Sequence, residues 1–94
     1  MNWSVYSYIA SSKIRLKIME LLHEAQLTPT EISRIADINL TVVSRGLSEL
    51  NSKNVVKCLS PEQTKSKFYT LTETGNQIYE FHQKRLASKQ LKRG

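Results

Sequence analysis

Thr41, Ser44, Arg45 and Ser48 share one side of any helix running from Asn39 to Ser52, while Val43, Leu47 and Leu50 share the other. The apolar set, spaced i, i+4 and i+7, demands burial, so the polar set is held outward on a rigid rod. Hydroxyls and a guanidinium placed this way suit hydrogen-bonded recognition rather than bond-making. Arg45 offers a planar fork of donors suited to a pair of acceptors or to an anionic oxygen. Thr41 and Ser44 offer hydroxyls that can donate or accept, and Val42 lies beside them in the sequence. Asn39 and Leu40 open the helix, with Asn39 as its cap. A plain solvated helix face is the other reading of these small polar residues. A second set of cations follows: Lys65 and Lys67, with Lys57 on an adjoining strand and Lys53 before it. They could meet an anionic partner, although strand neighbours alternate sides and Glu62 opposes close approach.

Nothing comparable points to catalysis. His23 and His82 are the only histidines, Cys58 is the only cysteine, and there is no glycine-rich phosphate loop or paired-carboxylate arrangement. A dyad of Cys58 with a histidine would lack the third group that orients such pairs, and Cys58 on a short apolar strand reads as a small hydrophobe. No enzyme activity, cofactor, metal or small-molecule ligand is expected. A lone cysteine allows no intrachain disulfide and fits a reducing cytoplasm. Fourteen Lys and Arg against eight Asp and Glu give a net charge of +6. That balance favours a polyanionic partner, nucleic acid ahead of an anionic membrane surface, or else serves solubility alone. Met1 to Ser12 is uncharged, but Asn2, Ser4, Ser7, Ser11 and Ser12 interrupt it, so neither a signal core nor a spanning helix is expected there.

The elements that must position these residues fit one domain over 1–94, since 94 residues support one modest core. Ser12 caps a helix from Lys13 to His23 or Glu24, with Ile14, Ile18, Leu21, Leu22 and Ala25 as its inward stripe and Arg15, Lys17 and Glu20 outside. Lys13, Arg15 and Lys17 read as solvent charges, with Arg15 the first candidate for an exception. Thr28-Pro29-Thr30-Glu31 starts a second helix, with Thr28 and Glu31 as a capping box and Pro29 in the first position. Ile32, Ile35 and Ala36 supply its inner face. Asp37-Ile38-Asn39 breaks the pattern before the third helix. There Gly46, costly in a helix, implies close approach of another backbone or simple tolerance. From Asn54 the period changes to that of strands: Val55 to Leu59 and Lys67 to Leu71 form a β-hairpin around a turn at Ser60 to Ser66. Thr72 caps a last helix through Ile78, Phe81 and Leu86 towards Lys89. The fold class is mainly α with a small β-hairpin: a three-helix core, the hairpin and a C-terminal helix over 12–82, preceded by an arm or short helix over 1–11 and followed by the end of the last helix and a basic tail over 83–94.

Leu27 to Val56, LTPTEISRIADINLTVVSRGLSELNSKNVV, closely resembles the helix-turn-helix and wing entry of winged-helix regulators of the arsenic-repressor and multiple-antibiotic-resistance-repressor types. Ser12 to Ile18 in the first helix, Thr41 to Arg45 in the third, and Tyr69-Thr-Leu-Thr-Glu-Thr-Gly75 after the wing carry the likeness, and the compactness is similar to archaeal members. The resemblance implies double-stranded DNA as partner, with the third helix in the major groove and the hairpin on flanking backbone. It implies that Arg45 meets a guanine edge or a phosphate, that Thr41 and Ser44 meet a phosphate or a base edge, and that the methyl groups of Thr41 or Val42 meet a thymine methyl, with Lys65 and Lys67 on flanking phosphates. Asp37 stands where Gly is usual, and Gly46 where a bulkier side chain is usual.

Such proteins commonly pair on half-sites about 34 Å apart, so a homodimer is expected. Trp3 and Tyr6 near the start, with Tyr79, Gln83 and Leu86 on a stripe of the last helix apart from Ile78 and Phe81, are the residues expected at its interface. The competing arrangement folds the N-terminal arm over its own last helix. A winged helix used for protein contact within a larger assembly is the other functional reading.

Overall fold

The computed structural model describes residues 2–59 and 67–91, with side chains through residue 88. The expected turn at Ser60 to Ser66, with Glu62 and Lys65, and the end of the basic tail lie outside the described residues. The elements are α1 (Trp3–Ala10), α2 (Lys13–Glu24), α3 (Pro29–Ala36), α4 (Leu40–Ser52), β1 (Val56–Cys58), β2 (Tyr69–Leu71) and α5 (Glu73–Leu91).

Most helix starts follow from side chains that satisfy the first unpaired backbone N–H groups. Asn2 accepts from the Val5 N–H, so the N-terminal stretch is a helix rather than an extended arm. Ser12 accepts from Arg15 at 3.3 Å. Thr28 accepts from the Glu31 N–H at 3.1 Å while the Glu31 carboxylate takes the Thr28 N–H at 2.9 Å, completing the capping box. Asn39 accepts from the Thr41 N–H at 2.8 Å. Between α3 and α4, Asp37 adopts φ 57°, ψ 47°, the left-handed turn for which glycine is usual. The Ser33 hydroxyl, donating to the Ile38 carbonyl at 2.6 Å, ties that turn back on itself.

β1 and β2 pair antiparallel, with Val56 opposite Leu71, Lys57 opposite Thr70 and Cys58 opposite Tyr69. The regular strands are shorter than the sequence pattern suggests, although Leu59 still donates to the Phe68 carbonyl at 2.8 Å. Leu27, in the link before α3, adds a further rung through reciprocal bonds with Tyr69. Thr72 then starts α5 by accepting the Gly75 N–H at 3.0 Å. Its hydroxyl also donates towards the carbonyls of Asn54 and Val55. A Cβ on Gly75 would stand 2.2 Å from the Val55 carbonyl oxygen, so backbone meets backbone here and glycine is required.

The core lies where α2, α3 and α4 meet the hairpin, and Ile18, Ile32, Val43, Leu47, Leu50 and Val55 are all essentially inaccessible. Three expectations need correction. Ile35 is 56% exposed: the inner line of so short a helix passes through Ile32 and Ala36, which leaves Ile35 on its flank. Ile14 and Ala25, at the two ends of α2, are also exposed, because the helix outruns the core at both ends. Gly46 is buried, yet what crowds it is not backbone. A Cβ there would meet Ile18 Cδ1 at 2.8 Å, so a side chain of α2 fills the notch.

Candidate nucleic-acid interface

Burial of Val43, Leu47 and Leu50 turns the opposite face of α4 to solvent. Asn39, Leu40, Thr41, Ser44, Arg45 and Ser48 are all exposed, and Val42 is half-buried at the margin. Asn39 spends its side-chain oxygen on the helix cap, which leaves its amide NH2 for any outside contact. Arg45 is exposed and forms no ion pair among the described residues. It borders a groove of about 220 Å³ between the start of α2 and the middle of α4, together with Ile14, Val42, Gly46 and Glu49. Gly46 therefore faces α2 and cannot supply the outward contact that a bulkier residue would make. On the hairpin, Lys57 and Lys67 are exposed. Burial, reinforced by the facing Cys58, pushes the Tyr69 phenol above its ordinary value.

Two residues near this face escape the sequence reading. Ile35 adds exposed apolar surface to α3, and nothing in its spacing distinguishes it from a core residue. Arg15 is not a plain solvent charge: it stacks on the Tyr8 ring, donates to the Tyr8 carbonyl and approaches Glu49 of α4. Its outward place three residues after the cap gives no hint of this, since the partners come from two other helices.

The residues expected at a dimer interface divide. Trp3 is 57% exposed, Leu86 is 42% exposed and Gln83 is also exposed. Tyr6 and Tyr79 are buried within their own chain. Tyr6 is covered because α1 folds back towards α5, and Tyr79 because it lies against α2. The Tyr6 ring meets Phe81 edge-on at 5.2 Å, and its hydroxyl lies 3.0 Å from His82 Nδ1. Tyr79 packs against His23 at 4.6 Å between centroids and accepts a hydrogen bond from the Gln83 amide. His23 Nε2 stands 3.9 Å from the Glu80 carboxylate. Among the described residues, no three potential metal ligands gather. No described helix is long and apolar enough to cross a membrane.

A helix-turn-helix on a third packing helix, closed by an antiparallel hairpin and extended by a last helix, defines the winged-helix class. The chain belongs to the winged helix-turn-helix family, whose model matches residues 10–89. No curated relative matches its sequence. Among solved structures, it is similar to a homodimeric winged helix-turn-helix DNA-binding domain from Mycobacterium bovis, a possible ArsR-family transcriptional regulator. That match has TM-score 0.77 and 21% identity, over 95% of this chain and 81% of that one. The adhesin competence repressor of Streptococcus pyogenes matches with TM-score 0.72 and 18% identity, over 83% of this chain. The present chain spans only 59% of that repressor's length. ZitR of Lactococcus lactis, solved in complex with DNA, matches with TM-score 0.66 and 22% identity, over 82% of this chain and 56% of that one. At such identities the likeness is one of fold. None of the three is described as an enzyme.

Proposed function

We propose that this chain is a cytoplasmic transcription regulator that binds double-stranded DNA sequence-specifically, with α4 in the major groove. The observation that carries the reading is the outward face of α4. Thr41, Ser44, Arg45 and Ser48 stand exposed on a helix whose other side is locked into the core, and Arg45 has no competing ion pair among the described residues. Arg45 takes the base-reading role, and Asn39, Leu40, Thr41, Val42, Ser44 and Ser48 line the same surface. Lys67, with Lys65 two positions before it in sequence, supplies flanking phosphate contacts. The whole of 1–94 acts as one domain. It works as a homodimer through the exposed Trp3, Gln83 and Leu86, with Tyr6 and Tyr79 supporting that surface from beneath. The homodimeric state of the mycobacterial domain and the DNA complex of ZitR support both halves of this reading.

The test is Arg45→Ala on a fragment selected from genomic DNA by the wild-type chain. Affinity should fall by about 1–3 kcal/mol, with discrimination lost at one position of the site and the melting curve unchanged. Unchanged affinity removes Arg45 from the mechanism, and an equal loss on every sequence makes it a phosphate contact.

A further inference from the structure

Outside the core, three helices converge on one aromatic ring. The Arg15 guanidinium of α2 lies 3.7 Å from the centroid of Tyr8, which belongs to α1, and its terminal nitrogen donates to the Tyr8 carbonyl at 2.8 Å. The same carbonyl accepts the Ser11 hydroxyl at 2.8 Å. Arg15 Nε stands 3.6 Å from the Glu49 carboxylate of α4 and is buried, with no hydrogen bond to any described residue. Lys53, the residue that ends α4, places its ammonium 5.2 Å from the same ring centroid. Tyr8 is thus held by cations from α2 and from the end of α4, an arrangement that favours a ring with an electron-rich face.

We propose that Arg15 is a positioning residue for DNA binding: by holding Tyr8 and Glu49 together it links the seating of α1 to the placement of α4. The proposal rests on the DNA-binding reading of α4. Three observations argue for linkage rather than bulk stability. Packing of α2 on α4 is already provided by Ile18, Val43 and Leu47, all buried, whereas the Arg15–Glu49 pair remains partly solvated, at 19% and 39% side-chain exposure, and adds little stability by itself. Glu49 follows Arg45 by one turn and therefore lies on the same side of α4. Arg15 offsets a carboxylate that would otherwise face phosphate beside the base-reading residue. Finally, α1 carries Trp3, whose ring meets Phe81 of α5 edge-on at 5.2 Å, so a change at the α1–α5 end reaches α4 through Tyr8 and Arg15.

The experiment uses the full chain, a labelled DNA fragment selected by the wild type, and Trp3 as the sole tryptophan reporter. Arg15→Met should weaken binding about five- to tenfold, within the usual range of coupling between sites, with little change in melting temperature. The slope of log affinity against log salt should not move, because Arg15 contacts no phosphate. Tyr8→Phe should bind like the wild type, Tyr8→Leu should lose as much as Arg15→Met, and the double variant should lose no more than either. Trp3 emission should respond to DNA in the wild type and lose that response in Arg15→Met. Normal binding and a normal Trp3 response in Arg15→Met overturn the proposal alone. A salt slope flattened by about 0.9 overturns it in favour of a phosphate contact, and a loss that tracks a lowered melting temperature overturns it in favour of simple stability. A wild-type chain that binds no DNA overturns the underlying reading as well.

Discussion

The helix-turn-helix and the paired terminal helices are built by different kinds of information. From Thr28 to Asn39, the contacts that shape the chain span two to five positions: the Thr28–Glu31 box, the Ser33–Ile38 bond across the turn and the Asn39 cap. Between α1 and α5 the shaping contacts reach across the chain, as in the bond from Tyr6 to His82, 76 positions away. Local chemistry can set a helix end before anything else has folded. A ring on α1 acquires its environment only when α5 arrives. Damage to the first region should therefore cost about one interaction, whereas damage where distant segments meet should cost the fit of both.

The largest effect expected from that contrast is at Gly75. An added methyl would enter the Val55 carbonyl oxygen, which is already held by the Thr72 N–H at 2.9 Å and faced by the Thr72 hydroxyl at 3.1 Å. Neither backbone segment can give way without losing these bonds. Gly75→Ala should destabilise by about 4 kcal/mol, above the usual range for an overpacked site, and urea unfolding measures it. A loss below about 1 kcal/mol would show that the hairpin and α5 slide past each other freely, and the contrast between the two regions would lose its strongest case. Thr28→Ala tests the other side. It removes one cap acceptor from α3 and leaves the reciprocal Glu31 bond in place, so about 1 kcal/mol should be lost, or about 5 °C in Tm. A loss several times larger would mean that the cap is part of a wider network and that this region is not local after all.

The same division explains what was legible in the sequence. Ser12, Thr28 and Asn39 announce helix starts because capping is short-range chemistry, Asp37 marks the turn, and the Val43, Leu47, Leu50 stripe fixes which side of α4 faces out. Arg45 and its neighbours follow from that stripe without any tertiary knowledge. The expectation that Ile35 faces inward fails because periodicity over eight residues does not say how wide the buried face is. The sequence pattern points Tyr6 and Tyr79 to an interface because the capacity of a core is not visible in one dimension. Arg15 stands out in the sequence only as the first exception among three solvent charges, and its partners stay hidden for the same reason, since Tyr8 and Glu49 come from elsewhere in the fold. The sequence identifies a side chain's chemistry more readily than its partner.

Gly46 cuts across this contrast, and it carries the smallest expected effect. It sits in α4, the locally specified region, but its neighbour is Ile18 of α2, a long-range contact. Two terms oppose each other when it becomes alanine. Helix propensity favours alanine by about 1 kcal/mol. Against that, a methyl would approach Ile18 Cδ1 to 2.8 Å, which forces the end of a fully buried side chain to move. The crowding atom is a rotatable terminus and not backbone, in contrast to Gly75, so the repacking should cost about as much as the helix gains, within the range of modest overpacking. Gly46→Ala should therefore leave stability within about 1 kcal/mol of the wild type, by urea unfolding. DNA affinity should also hold, because the added methyl points at α2 and away from the face of Thr41, Ser44 and Arg45. A loss above about 3 kcal/mol would show that Ile18 has no second rotamer to occupy and that the spacing of α2 and α4 is as rigid as the Gly75 junction. A stable variant with weakened DNA binding would show instead that a shift of α2 alone displaces the reading face, which would make the α2–α4 contact, and not the outward residues by themselves, the determinant of how α4 meets its site.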